Sequence, residues 1–264
     1  MPTHRQIMED DVSVDDFPSP GNLDGPAATG NAIELPPIPG GIRLWWLALD
    51  RPEREVAELA RTLSSEETAR AQRFGAELLR QRWIVGRATL RTLLGAILGV
   101  APSAVALARG RRGRPELREA SLDFNVSHTC GMALIGVAHR PQKGMRIGVD
   151  VEHSQRKVNA DGLSRKFLSD REREGLSPLA ADARRQGFLR LWTCKEAMSK
   201  ATGDALAAPF RLLDVSLDGG LALLDGPPPY LPTDWTLQPA VVPADFLATV
   251  AIWQPIPRRD ARIS

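Results

Sequence analysis

The sequence is poor in the residues that build disulfide frameworks and zinc clusters. Its 264 residues hold two cysteines, Cys130 and Cys194, and four histidines. The cysteines lack metal-type spacing, so they read as small packing residues. No apolar run approaches the roughly 18 residues of a membrane-crossing helix. The opening "MPTHRQIMEDDVSVDD" lacks the basic-then-apolar pattern of a secretory leader. A cytoplasmic protein without a membrane partner is expected. Aromatics make up 5% of the chain, with no aromatic-rich face of the kind that stacks single-stranded nucleic acid.

What is present begins with charge. The net charge of +2 hides an asymmetry, because residues 1–41 hold one arginine against seven acids (Glu9, Asp10, Asp11, Asp15, Asp16, Asp24, Glu34), together with seven prolines and five glycines. Such a composition cannot bury enough apolar surface to offset its chain entropy, so residues 1–41 are expected to be a disordered acidic tail. The remainder is basic, which favours an anionic partner such as a phosphorylated cofactor, an acidic protein or nucleic acid. With 43% hydrophobic residues the chain can bury one substantial core or two small ones.

Past the tail, "GIRLWWLALDRP" predicts a strand, "LSSEETARAQRF" a short helix capped at Ser64 or Ser65 with Glu67 in its first turn, and "ELLRQRWIVGRATLRTLLGAILG" a long helix stopping at Gly99. "SLDFNVSH" and "MALIGVAH", joined by "TCG", predict a hairpin. From Met145 the order restarts: a strand at "MRIGVDVE", a short helix at "FLSDREREGL", a long helix at "FLRLWTCKEAMSKATG", then a hairpin turning at Gly219 and Gly220 and two further strands. The duplication is one of element order, without a residue-level repeat. The expected fold is α+β in two pseudo-symmetric lobes, each a small, mainly antiparallel sheet packed against a long helix. Residues 42–144 form the first lobe, 145–256 the second, and 257–264 a flexible end. The strand carrying Asp150 then lies near the junction, a usual place for a ligand cleft.

Within "IGVDVEHS", Asp150 and Glu152 are two apart on a strand and share a face. Paired carboxylates need compensation by a Lys or Arg, a metal ion or open water. In "WTCKEAMSK", helical spacing puts Trp192, Glu196 and Lys200 on one stripe, either an ordinary surface Glu–Lys pair or, with Phe188 beside them, a face turned toward protein. Asp150, Glu152 and Glu196 make an oxygen-only set suited to a hard cation such as Mg²⁺ and not to zinc. In "FNVSH", Asn125 and Ser127 share the face opposite Phe124, Val126 and His128. The stretch "RGRRGRPEL" gathers Arg109, Arg111, Arg112 and Arg114 in a loop that is either solvated or phosphate-binding.

Four blocks in this order, "GRP" at 113–115, "FNVSH" at 124–128, "GVDVE" at 148–152 and "WTCKEAMSKATG" at 192–203, resemble the motif blocks of the Sfp-type 4′-phosphopantetheinyl transferases. "LDRP" at 49–52 and "LSSEETARAQRF" resemble that family's N-terminal lobe, so the likeness spans residues 42–254. It implies a monomer that binds coenzyme A between its lobes, moves the phosphopantetheine arm to a serine of an apo acyl or peptidyl carrier protein, releases 3′,5′-ADP and needs Mg²⁺. Carried over by motif, Asp150, Glu152 and Glu196 would hold Mg²⁺, and Glu196 would be the base, directly or through a water. Lys200 would neutralise the diphosphate, and His128 with Ser127 would meet the 3′-phosphate. Arg114, standing where the family usually has Lys, would contact nucleotide phosphates beside Pro115. Arg70 and Arg82 resemble CoA-binding basic positions of the N-lobe.

Three other functions are weighed against this one. A degenerate homologue that binds without chemistry should have lost an acid or the lysine, and all four are present. A nucleic-acid binder would draw on the arginine loop and show strongly salt-dependent binding without CoA. A Mg²⁺ phosphohydrolase would share the acids but need no carrier protein.

Overall fold

The computed structural model describes residues 28–29, 32–118, 122–139 and 144–256. In the first half, strands β1 (Ala28–Thr29), β2 (Ala32–Ile38) and β3 (Ile42–Ala48) precede helices α1 (Glu53–Ala60), α2 (Ser65–Ala71) and α3 (Glu77–Leu98). Strands β4 (Leu107–Arg109), β5 (Pro115–Leu117), β6 (Leu122–Thr129) and β7 (Met132–His139) follow. The second half runs β8 (Arg146–His153), α4 (Ala160–Phe167), α5 (Asp170–Leu176), α6 (Ala181–Thr202), β9 (Asp214–Ser216), β10 (Ala222–Asp225), β11 (Trp235–Pro239) and β12 (Phe246–Trp253). The α+β fold in two similar lobes is as expected, with one short helix more in each lobe, α1 and α4, than the periodicity revealed. Among the described residues no helix is long and apolar enough to cross a membrane.

The larger sheet has the order β1-β2-β3-β7-β6 and the smaller β11-β12-β8, both antiparallel throughout. Alternation sorts their side chains. Trp45, Leu47, Phe124 and Ile135 face α3, whose Val85, Leu93 and Leu94 complete that core. Leu237 and Ala251 of the smaller sheet join the core built on α6 through Trp192, Ala197 and Ala201. The opposite faces of the two sheets meet each other, with Leu44, Trp46 and Leu134 against Ile147, Val149, Val151 and Val250. The result is a helix–sheet–sheet–helix stack whose central layer belongs to both lobes.

Part of the segment expected to be a disordered acidic tail is folded. Residues 1–27 lie outside the described residues, as do 257–264, but β2 occupies positions assigned to the tail and pairs with β3. Ala32 and Ile38 are buried, and Glu34 holds Arg43 through two hydrogen bonds of 2.6 and 2.8 Å. Pro36 and Pro37 misled the sequence expectation. They sit where the β2–β3 register breaks, between Leu35 and Ile38, so their missing N–H groups cost the ladder little.

The predicted cap at Ser64 and stop at Gly99 are found, Ser64 capping α2 in a reciprocal box with Glu67 and α3 ending on Gly99 with left-handed backbone. The second lobe repeats both devices, with Ser169 and Glu172 boxing α5 and Gly203 closing α6. The β6–β7 hairpin closes on two residues, Cys130 (φ 46°) and Gly131 (φ 74°), the positive-φ pair that a tight hairpin turn requires.

Candidate active site

β8 and α6 bring the three acids and the lysine together where the lobes meet. Lys200 Nζ lies 2.6 Å from Asp150 Oδ1 and 2.8 Å from Ser127 Oγ, and Ser127 donates to the same Asp150 oxygen at 2.9 Å. Asp150 is 4% exposed. Burial, helped by Glu152 and Glu196 and opposed by Lys200, pushes its carboxyl up to about 7. Burial alone would lower the Lys200 ammonium, but Asp150 and Glu196 outweigh it and hold the lysine above its ordinary range. Glu152 is gripped by Arg156 at 2.6 Å and by Thr129 at 3.3 Å. Glu196 is buried one helical turn before Lys200.

α6 can lie this close to β8 because residue 148 is glycine. A Cβ there would stand 1.9 Å from the Ala197 carbonyl oxygen and 2.7 Å from the Ala201 nitrogen. The helix thus rests on bare strand backbone between Glu196 and Lys200.

Two expected phosphate ligands have other work. Arg114 is buried, with Nη1 and Nη2 on Asp123 at 3.1 and 2.9 Å, Nη2 also on the Ile147 carbonyl at 2.9 Å, and Nε on the Lys200 carbonyl at 2.9 Å. It ties the first lobe to β8 and to the end of α6. Ser127 is equally committed, since besides Asp150 and Lys200 it accepts from the Val151 amide at 3.3 Å. Of the remaining expected residues, Arg82 chelates Asp50 at 2.6 and 2.9 Å, and Arg70 stacks over Trp83 at 5.6 Å. Arg70 also lines a cavity of about 310 Å³ with Arg73, Phe74 and Arg109. His128 is exposed, on the strand face opposite Ser127. Pro115 forms the wall of a second cavity of about 220 Å³ at the lobe junction, with Arg112, Phe124, Asn125, Ser199 and Lys200.

A model of the 4′-phosphopantetheinyl transferase superfamily matches residues 146–251, and one of the 4′-phosphopantetheinyl transferase N-terminal region matches residues 50–140. The 4′-phosphopantetheinyl transferase HetI of Nostoc sp. is 38% identical over 224 residues, covering 81% of this chain and 90% of its own. The chain belongs to the 4′-phosphopantetheinyl transferase superfamily. The relative slr0495 of Synechocystis sp. is 33% identical over 62% of this chain and 66% of its own, and a phosphopantetheinyl transferase of Thraustochytrium sp. is 28% identical over 64% and 63%. The holo-[acyl-carrier-protein] synthase structure of Thermotoga maritima matches 41% of this chain and 62% of its own at 17% identity and a TM-score of 0.33, a likeness too partial to carry an argument.

As a phosphopantetheinyl transferase the chain hands a phosphopantetheine group to carrier proteins, and its family uses CoA as donor. Asp150 Oδ2 is buried without a hydrogen-bond partner. An orphaned carboxylate oxygen among further carboxylates is the kind of donor a hard cation relieves. Among the described residues no three His, Cys, Asp or Glu side chains converge as a complete ligand set. The fit to a hard cation such as Mg²⁺, which keeps waters and takes phosphate oxygens, rests on the unpartnered Asp150 oxygen and the neighbouring Glu152 and Glu196 carboxylates.

Sequence reasoning missed the grip of Arg156 on Glu152, although the four-residue separation was visible. It also missed Asp204, just beyond α6, which receives Arg111 and Arg112 at 3.0 and 3.1 Å and the Tyr230 hydroxyl at 2.8 Å. The arginine loop is therefore neither simply solvated nor wholly free for phosphate, since Arg111, Arg112 and Arg114 all brace the second lobe.

Proposed function

We propose that the protein moves the 4′-phosphopantetheine arm of CoA onto a serine of an apo acyl or peptidyl carrier protein and releases 3′,5′-ADP, in a Mg²⁺-dependent reaction. The observation that carries this reading is the set of three buried acids, Asp150, Glu152 and Glu196, with the half-buried Lys200 beside them and an unpartnered Asp150 oxygen. Asp150, Glu152 and Glu196 would hold the cation, which when bound supplies charge neutralisation at the CoA diphosphate. Lys200 adds a fixed positive charge beside the same phosphates, and the 220 Å³ cavity next to it supports seating of the nucleotide half there. Glu196 takes the proton of the carrier serine, directly or through one water, as the serine oxygen bonds to the phosphorus that bears the pantetheine arm. The bond from that phosphorus to the bridging oxygen breaks, and the oxygen leaves with 3′,5′-ADP. For phosphate contacts the reading keeps His128 and Arg70. Arg82, Arg114 and Ser127 act by holding their neighbours. The reading takes the active species as a monomer, as the family likeness implies.

The test is incubation with Mg²⁺, CoA and a panel of apo carrier proteins, followed by intact carrier mass. A gain of one phosphopantetheine, blocked by EDTA, is expected. Cleavage of CoA with every carrier left unmodified would replace the reading with a phosphohydrolase.

A further inference from the structure

The two lobes are joined by a ladder that main-chain pairing does not make. β8 gives one edge to β12 in an ordinary antiparallel register from Arg146↔Trp253 to His153↔Phe246. Its other edge meets side chains. The Ile147 amide donates to Asp123 Oδ2 at 2.7 Å, the Val149 amide to Asn125 Oδ1 at 3.1 Å and the Val151 amide to Ser127 Oγ at 3.3 Å. Three residues two apart on β6 thus satisfy three amides two apart on β8, in constant register. β6 is itself paired with β7 along its whole length. The three side chains therefore stand in for the carbonyls of a missing strand and hold β8 a side chain's length away.

We propose that Asp123, Asn125 and Ser127 are spacers that set the register and separation of β8, and that Asn125 is thereby a positioning residue for phosphopantetheinyl transfer. This rests on the function proposed above and deepens it. Asp150 and Glu152 alternate with the three clamped amides, so any slip or closure of β8 displaces both carboxylates. The ends of the ladder are braced: Arg114 neutralises Asp123 and caps the Ile147 carbonyl, while Lys200 shares Ser127 with Asp150. Asn125 sits between these charged ends without a brace of its own and also forms part of the cavity wall beside Lys200. Direct strand pairing would bring the two backbones to about 4.8 Å and would close this wall. Spacing by side chains keeps it open.

The experiment compares Asn125→Leu, which keeps the size and removes the acceptor, with Asn125→Asp, which keeps an acceptor oxygen as Asp123 does. Hydrogen exchange at the Val149 amide reads the ladder, and steady-state transfer to carrier reads the positioning. In Asn125→Leu, Val149 exchange should rise, and kcat should fall about 5- to 100-fold, the range for one buried hydrogen bond left unmade, with a smaller change in KM for CoA. Asn125→Asp should retain Val149 protection and recover most of kcat. Wild-type kcat in a folded Asn125→Leu, or equal losses in both variants, would overturn the proposal. A wild-type protein that modifies no carrier would overturn the function reading instead, and unchanged Val149 exchange in Asn125→Leu would still refute the spacer by itself.

Discussion

The two lobes use one scaffold for two purposes. Each has a strand, two short helices, a 22-residue helix closed by glycine and a small hairpin. Each also buries one ion pair at the same place. Arg91, the fifteenth residue of α3, meets the capping-box acid Glu67 at 2.6 Å and reaches the carbonyls of Pro102 and Val105. Lys195, the fifteenth residue of α6, meets the capping-box acid Glu172 at 2.6 Å and reaches the carbonyls of Phe167, Phe210 and Leu213. The scaffold is shared and the chemistry is not. Glu196 and Lys200 correspond to Thr92 and Ala96, and matching "GIRLWWLAL" to "GMRIGVDVE" sets Trp45, Leu47 and Leu49 against Gly148, Asp150 and Glu152. In the first lobe those three positions fill the core under α3. In the second, a glycine admits the helix and two acids face it.

The largest break in the comparison is expected at Glu196. Glu196→Gln should lower transfer by about 10²- to 10⁴-fold, the usual contribution of a general base, while the urea midpoint stays near wild type. Thr92 at the matching place shows that the scaffold itself needs no acid there. Near-normal carrier modification by this variant would remove Glu196 from its role.

The ion pairs should break unequally. Lys195→Met leaves Glu172, whose side chain is 1% exposed and whose carboxyl burial already pushes up, without a counter-charge. A loss of about 3–5 kcal/mol in urea denaturation is expected. Arg91→Met should cost less, because Arg87 lies 3.6 Å from Glu67 and that acid is more exposed. Equal losses would mean that Arg87 and the greater exposure of Glu67 do not soften the loss of the first-lobe pair.

Gly148→Ala should come next, at about 1–3 kcal/mol for forcing a methyl group into packed backbone, accompanied by loss of transfer as α6 is pushed from β8. Leu47→Ala, in the core of the first lobe under α3, should lower stability by about 2–5 kcal/mol through its cavity and leave kcat nearly unchanged. Denaturation and carrier-mass assays on the same samples separate the two effects.

Much of this was legible in residue order. The long helices, their glycine stops, both capping-box serines and the shared face of Asp150 and Glu152 follow from local rules that the sequence obeys. What escaped was non-local. Nothing in "GRP" says that Arg114 spends its donors on Asp123, Ile147 and Lys200, because those acceptors are brought by other segments. Ser127 was given to phosphate for the same reason: its strand face was predictable, but the β8 edge waiting before it was not. The tail boundary failed in the opposite direction, since composition outvoted the few apolar residues, Ala32, Ile33, Leu35 and Ile38, that lie in a strand there.

The last expected effect is a slope in pH. Asp150 has a folded-state pKa of about 7, above the ordinary carboxylate value of 3.8, because burial disfavours its charge. Between those two values the folded protein keeps a proton that the unfolded chain releases, so without CoA or cation the stability contributed by this site falls as pH rises from about 4 to 7. Asp150→Asn should remove this part of the slope and make the ligand-free variant more stable than wild type at pH 8, the gap narrowing toward pH 4. Leu47, its counterpart, carries no proton, so the first lobe adds no matching slope. Urea denaturation at three pH values measures it, and parallel stability curves for variant and wild type would show that Lys200 already compensates Asp150 fully, leaving no unbalanced charge for a cation to relieve.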